Sequence, residues 1–191
     1  MITNLHIHNV RGLAETSLSL GPSVNLWVGE NGAGKTSVLE AVSILSLGRS
    51  FASSRIKSVI AFEEPSLTVF GRIQGQHQEH RLAVQVNRDE ERKLRLDGSA
   101  AKNQVVLSRL LPVLQINPHS MDLITGSPGD RRRFMDWGAF HWSGGNGQSF
   151  NALRRALLQR NSLLRSGILN SSDLAPWEQQ IAWHGEEVDQ W

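Results

Sequence analysis

Gly29, Glu30, Asn31, Gly32, Ala33, Gly34, Lys35 and Thr36 follow the pattern G-x-x-x-x-G-K-[ST], whose chemistry is the holding of a phosphate chain. Glycines at 29, 32 and 34 let the backbone turn tightly with amide N–H groups aimed inward and no Cβ in the way, which makes an anion nest. A helix starting near Gly34 adds unpaired N–H groups and the positive end of its dipole. Lys35 is expected to neutralise the β and γ phosphates of a bound nucleotide. The Thr36 hydroxyl is expected to bind Mg²⁺, which takes one or two protein oxygens beside phosphate oxygens and water. A match by chance in a chain of this size has a probability of about 1%.

Such a loop works only between a strand and a helix. Residues 24–28 (Val-Asn-Leu-Trp-Val) predict a buried strand, and residues 36–47 predict a helix with Val38, Leu39, Ala41, Val42 and Leu45 apolar, closed by Gly48. Upstream, Leu5, Ile7 and Val10 alternate with polar residues in a half-buried strand, and residues 16–20 form a second strand after a turn at Arg11-Gly12. His6 and His8 read as solvent-facing strand residues. A hairpin ahead of the loop suits ATPase heads of the ABC and SMC type, rather than small GTPase-like folds, in which the loop follows the first strand.

The 191 residues include no cysteine and carry a formal net charge of +2. Disulfides and thiolate metal sites are thereby excluded, and a cytoplasmic location is expected. No apolar run approaches the length of a membrane span, so no membrane partner is expected. The pI of about 9.5 overstates the charge, because without Tyr or Cys almost nothing titrates between His and Lys. An argument for nucleic acid must therefore rest on where the arginines sit.

Beyond the helix, residues 48–55 read as a polar loop. Residues 67–73, 80–86 and 93–96 read as strands of an antiparallel meander, with a turn at Asp97-Gly98 and a solvated hairpin tip at 87–93. Residues 105–111 suit a short helix, and residues 112–118 a buried strand leaving through Pro118. Gln115 on that strand is a candidate γ-phosphate sensor; a plain strand polar residue fits equally. The character of the chain then changes from strands to helices, and five of the six tryptophans follow. The lobes expected are therefore 1–117, binding ATP, and 118–191, helical.

In the second lobe Ser127 is expected to cap a helix with Pro128 in its first position and Asp130 completing a capping box. Phe134 and Trp137 on that helix should face a core. Arg131, Arg132 and Arg133 spread around it, so they cannot all meet one partner. Residues 142–148 superficially resemble an L-S-G-G-Q signature, but Asn146-Gly147 breaks the register and a loop is expected. A second helix from Ser149 to about Arg165 puts Phe150, Leu153, Leu157 and Leu164 on one face, with Arg154 and Arg165 as a basic edge able to follow a DNA backbone. In the last helix Trp177, Ile181, His184, Val188 and Trp191 repeat at three-four spacing. No Gly, Asn or Pro closes it, so the helical lobe reads as cut in mid-element. No later strand carries the apolar-plus-acid pattern that would polarise water, so the parts for gripping ATP are expected without those for hydrolysing it.

The loop with Ser37-Val38-Leu39-Glu40-Ala41, then Gly48-Arg49-Ser50-Phe51, the run 127–137 and Leu157-Leu158-Gln159-Arg160-Asn161 together resemble the RecF family of bacterial DNA replication and repair proteins. The resemblance covers the whole chain and about the N-terminal half of a RecF protein. It implies an α/β P-loop NTPase of the ABC/SMC-like head type, with a mixed sheet around the P-loop helix, an antiparallel meander and a helical second lobe. It implies ATP and Mg²⁺ as cofactors, Ser37 near the α phosphate and an ATP-dependent homodimer. Binding of single-stranded or gapped DNA, work with RecO and RecR, and support of the SOS response are implied as well. One departure is Ala52-Ser53-Ser54, where the family carries an arginine. Two other outputs stay open: an SMC/Rad50-like or OLD-like head, and a DNA- or protein-binding module with a non-hydrolysing P-loop.

Overall fold

The computed structural model describes residues 1–75, 77–142, 147–167 and 171–189. Positions 143–146 of the signature-like stretch and Trp191 lie outside them. Two compact units are present, Met1–Gln115 and Ile116–Trp191.

The first unit is built on one six-stranded sheet of order β2-β1-β3-β4-β5-β6. Its strands are β1 (Ile2–Val10), β2 (Leu13–Ser19), β3 (Ser66–Gln74), β4 (Glu79–Asn87), β5 (Arg92–Leu96) and β6 (Ser99–Ala100). Period-two alternation sends Leu5, Ile7, Leu67, Val69, Ile73, Leu82, Val84 and Val86 to one face, each 0–1% exposed. In β1 the alternation slips at Asn9, whose φ of 57° turns Val10 inward as well; Asn tolerates this left-handed region better than most residues. Asn9 is itself buried and donates through Nδ2 to Glu64 Oε2 at 2.9 Å.

Helix α1 (Lys35–Leu47) lies on the buried face of the sheet, with Val38, Ala41, Ile44 and Leu45 in the core. Gly48 ends it in a left-handed C-cap, φ 66°, its N–H bonded to Ile44 O. The short helix α2 (Gln104–Leu110) then seals that end. Gln104 Nε2 donates to Leu45 O and Ser46 O at 3.1 and 2.8 Å, and the Ser108 hydroxyl to Ser46 O at 2.5 Å, so carbonyls left over at the helix terminus find donors.

Two expected strands are absent. Residues 24–28 and 112–117 carry no ladder, and Val24, Leu26, Val28 and Ile116 are 86, 83, 83 and 84% exposed. Their apolar alternation is real, but a strand exists only through a paired neighbour, and the described residues supply none. The sheet is consequently antiparallel throughout rather than mixed.

The second unit holds α3 (Asp122–Thr125), α4 (Pro128–Trp142), α5 (Gly147–Ser166) and α6 (Ser171–Asp189). Helices α5 and α6 pair as an antiparallel hairpin: the Ser149 hydroxyl donates to Glu187 Oε2 at 2.8 Å at one end, and Arg160 meets Glu178 at 3.4 Å farther along. The expected α5 stripe is partly buried: Phe150 and Leu153 are half-buried. Leu157 and Leu164 are 39 and 38% exposed, while Ala156 is fully buried. On α4, Trp137 is half-buried as expected, but Phe134 is 42% exposed.

Candidate functional site

The loop of residues 29–36 meets the conformational demands its glycines suggest. Gly32 and Gly34 have φ of 87° and 90°, a region costly to residues with a Cβ. A Cβ on Gly34 would also lie 2.7 Å from Leu13 Cδ2, so the β2 edge packs directly against the loop. Ala33 N–H closes a turn on Glu30 O at 3.2 Å, and Val38 N–H makes the first helical bond, to Gly34 O at 3.0 Å. No side chain caps α1 and no acidic residue occupies its first turn, so the N-terminal donors and the positive dipole end face the loop unopposed. The Lys35 ammonium curls over the loop and donates to Gly29 O and Glu30 O, both at 2.7 Å. Thr36 is exposed and Ser37 is buried beside it. A cation held only by carbonyls, an uncapped helix start and a free hydroxyl form a donor set that fits a polyphosphate with its Mg²⁺.

Behind the loop lies a cluster that periodicity alone does not single out. Glu40, one turn past Thr36, is 2% exposed. Its carboxylate accepts from Arg11 Nε at 3.1 Å and Nη2 at 3.0 Å, and from the Ser50 hydroxyl at 2.6 Å. Arg11 also donates through Nη1 to Ser58 O at 3.1 Å. Ser50 Oγ in turn accepts from Ala52 and Ser53 N–H, each at 3.0 Å. One buried carboxylate thus ties the β1–β2 turn, α1 and the loop after α1 together, and it raises the Arg11 pKa chiefly through the hydrogen bond. The sequence signal for this cluster is the single carboxylate among the apolar and small residues of α1, which must find a partner when buried.

Gln115 lines a cavity of about 240 Å³ with Ser43, Leu47, Arg49, Ser50 and Phe51. Ser43 and Leu47 lie about 12 and 18 Å along the helix from Lys35 at 1.5 Å per residue. The lining includes no residue of the phosphate loop, and Ser50 joins the cavity to the Glu40 cluster.

In the second unit the cap forms in modified shape. Ser127 donates to Asp130 Oδ2 through both N–H (3.0 Å) and Oγ (2.7 Å), while Asp130 N–H bonds to Ser127 O. The Ser127 hydroxyl first, with its N–H and Arg133, holds the Asp130 pKa below the usual carboxylate value. Arg131 donates to Gly126 O at 3.2 Å and Arg133 pairs with Asp130, so both are turned toward their own helix start. Arg132, Arg154 and Arg165 are exposed.

Over residues 1–156 the chain matches the RecF/RecN/SMC N terminal domain family. It is 41% identical over 192 residues to the DNA replication and repair protein RecF of Pseudomonas syringae pv. tomato (strain ATCC BAA-871 / DC3000), covering 99% of this chain and 52% of that protein. A solved structure of the recombination mediator protein RecF-ATPrS in the RecFOR pathway matches with a TM-score of 0.84 at 23% identity, over 98% of this chain and 52% of that one. The corresponding RecF-ATP structure matches at 0.79 and 23% identity, over 99% and 52%. The chain spans about half the length of the curated relatives it matches. Its fold is that of an ABC/SMC-like P-loop ATPase head. Among the described residues no helix is long and apolar enough to cross a membrane.

Proposed function

The chain belongs to the RecF/RecN/SMC N-terminal domain family, and from that premise we propose that it is the ATP-holding portion of a RecF-type DNA-binding protein of recombinational repair and replication restart. The observation that carries the proposal is the uncapped α1 terminus behind Gly32 and Gly34, with Lys35 folded over the loop. Gly29, Glu30, Asn31, Gly32, Ala33, Gly34 and Lys35 would wrap the phosphates, Thr36 would hold Mg²⁺, and Ser37 would sit near the α phosphate. ATP supplies the polyanion that two such heads share, so binding would drive dimerisation on gapped or single-stranded DNA, with RecO and RecR as partners in recombinase loading. Residues 1–117 form the ATP-binding lobe in this reading and residues 118–191 the helical lobe. Arg131, Arg132, Arg133, Arg154 and Arg165 are the DNA-facing candidates on that lobe. A sensor role for Gln115 requires residues 112–117 to settle into a ladder that brings it to the γ phosphate.

Nucleotide affinity measured by calorimetry with and without Mg²⁺ tests the site. Lys35→Ala is expected to weaken ATP binding strongly, and Thr36→Ala to remove most of the Mg²⁺ dependence. Unchanged affinity in Lys35→Ala would refute the assignment.

A further inference from the structure

The sheet of the first unit buries one face and leaves the other open. Register places His6 (β1) opposite Phe70 (β3), Phe70 opposite Ala83 (β4), and Ala83 opposite Arg95 (β5), all pointing away from α1. One row over, Arg72 of β3 stands directly opposite Arg81 of β4, and Lys93 shares the same face of β5. The four cations are exposed and span three adjacent strands, spaced about 4.8 Å apart. Like charges directly opposite each other weaken a sheet; Arg72 lies 3.9 Å from exposed Glu79, and the Asp97 carboxylate, 2.7 Å from Arg81 N, partly offsets Arg81. Other acids near this face are Glu15, on β2 at the far edge from the cations, and Glu91 and Asp97, which flank β5 and accept from Asn87 Nδ2 and Arg81 N–H. Between the cations and the edge, the half-buried Phe70 ring lies 5.6 Å from the exposed His6 ring, and His6 Nδ1 is held 2.8 Å from Ser17 Oγ.

We infer that this open sheet face is a platform for single-stranded nucleic acid, with Arg72, Arg81, Arg95 and Lys93 on the phosphates and Phe70 and His6 stacking bases. The inference rests on the nucleic-acid reading above but places contact on strands, apart from the helical-lobe arginines. Charge complementarity selects a polyanion. Rings among the cations select one whose bases are free, because duplex bases are already stacked and offer no face to Phe70.

The test is fluorescence anisotropy of a labelled oligothymidine strand, and of a duplex, with the intact chain across a salt series, with and without ATP. The triple variant Arg72→Gln, Arg81→Gln, Arg95→Gln should bind oligothymidine about tenfold more weakly, with a salt slope shallower by about two, as expected for three lost single-strand phosphate contacts. Phe70→Leu retains apolar bulk on the strand, so a folded variant binding about tenfold more weakly to oligothymidine but unchanged on duplex reads out stacking. Parental affinity in either variant overturns the platform. Polyglutamate that competes equally well for the parent, and loses its hold in the triple variant, would identify an acidic protein surface as the occupant and overturn it too. Loss of binding only in Arg131→Gln, Arg132→Gln, Arg133→Gln leaves the nucleic-acid reading standing and removes the sheet face from it. No binding by the parent chain under any condition removes both.

Discussion

Arg11 and Glu40 meet in a two-point ion pair, Nε to Oε2 at 3.1 Å and Nη2 to Oε1 at 3.0 Å, with the Arg11 side chain 33% exposed and that of Glu40 3%. The pair joins a hairpin turn to the helix whose first residue is Lys35, so it fixes where the phosphate loop sits against β2. Its asymmetry in exposure makes the two partners unequal. Removing Arg11 strands a buried carboxylate, whereas removing Glu40 leaves a guanidinium that can still reach water.

Arg11→Ala should therefore destabilise the fold by about 3 kcal/mol or more, and Glu40→Ala by less. Urea titration of the two variants checks the order. Equal stability of Arg11→Ala and the parent would show that the pair contributes nothing.

Gly34→Ala meets both a left-handed backbone, φ 90°, and the Leu13 side chain. Leu13 can rotate aside, so the backbone term decides, and a loss of about 1–3 kcal/mol is expected together with weaker nucleotide binding. At Gly12 an added Cβ meets nothing within 4 Å; Gly12→Ala should leave both thermal midpoint and nucleotide affinity close to the parent.

Gln104 tests the other end of α1. Its amide donates to two helix-end carbonyls while Oε1 is buried with no hydrogen-bond partner among the described residues. Gln104→Ala removes the donors and should cost about 1–2 kcal/mol. Gln104→Glu places an acceptor-only carboxylate against those carbonyls and should cost more at neutral pH. A thermal melt in which Glu matches Gln at pH 7 would contradict the arrangement.

Asp97 anchors the β5–β6 turn to β4. Its carboxylate accepts from Arg81 N–H at 2.7 Å, and Oδ2 lies 2.9 Å from His80 Nδ1. The backbone bond first, then His80, holds its pKa below the ordinary aspartate value. A depressed folded pKa contributes stability that is whole above the unfolded value and is lost as pH falls through the folded one. Asp97→Asn should lower the thermal midpoint at neutral pH, and the gap from the parent should narrow as pH falls below the ordinary aspartate value of about 3.9. A gap independent of pH would refute the linkage.

Local signals were legible at residue level. The phosphate loop, the Gly48 stop, the Ser127–Asp130 cap and the meander strands all depend on residues a few positions apart, and each appears where spacing places it. Phe134 and the Leu157 and Leu164 end of the α5 stripe are more exposed than periodicity suggests, because helix burial depends on which neighbour approaches. Glu40 was readable only as a charge in an apolar helix; nothing near it in sequence named Arg11, 29 positions upstream.

By itself the sequence determined the phosphate-holding loop, because a nest of amides and a helix start need only contiguous residues of the right size. Tertiary structure alone decided that Glu40 is buried and paired, that β1 runs between β2 and β3 so that Phe70 meets His6, and that residues 24–28 and 112–117 carry no ladder. Each of these depends on a hydrogen-bond or charge partner distant in the chain, and alternation along one segment holds no information about which distant segment comes to lie beside it.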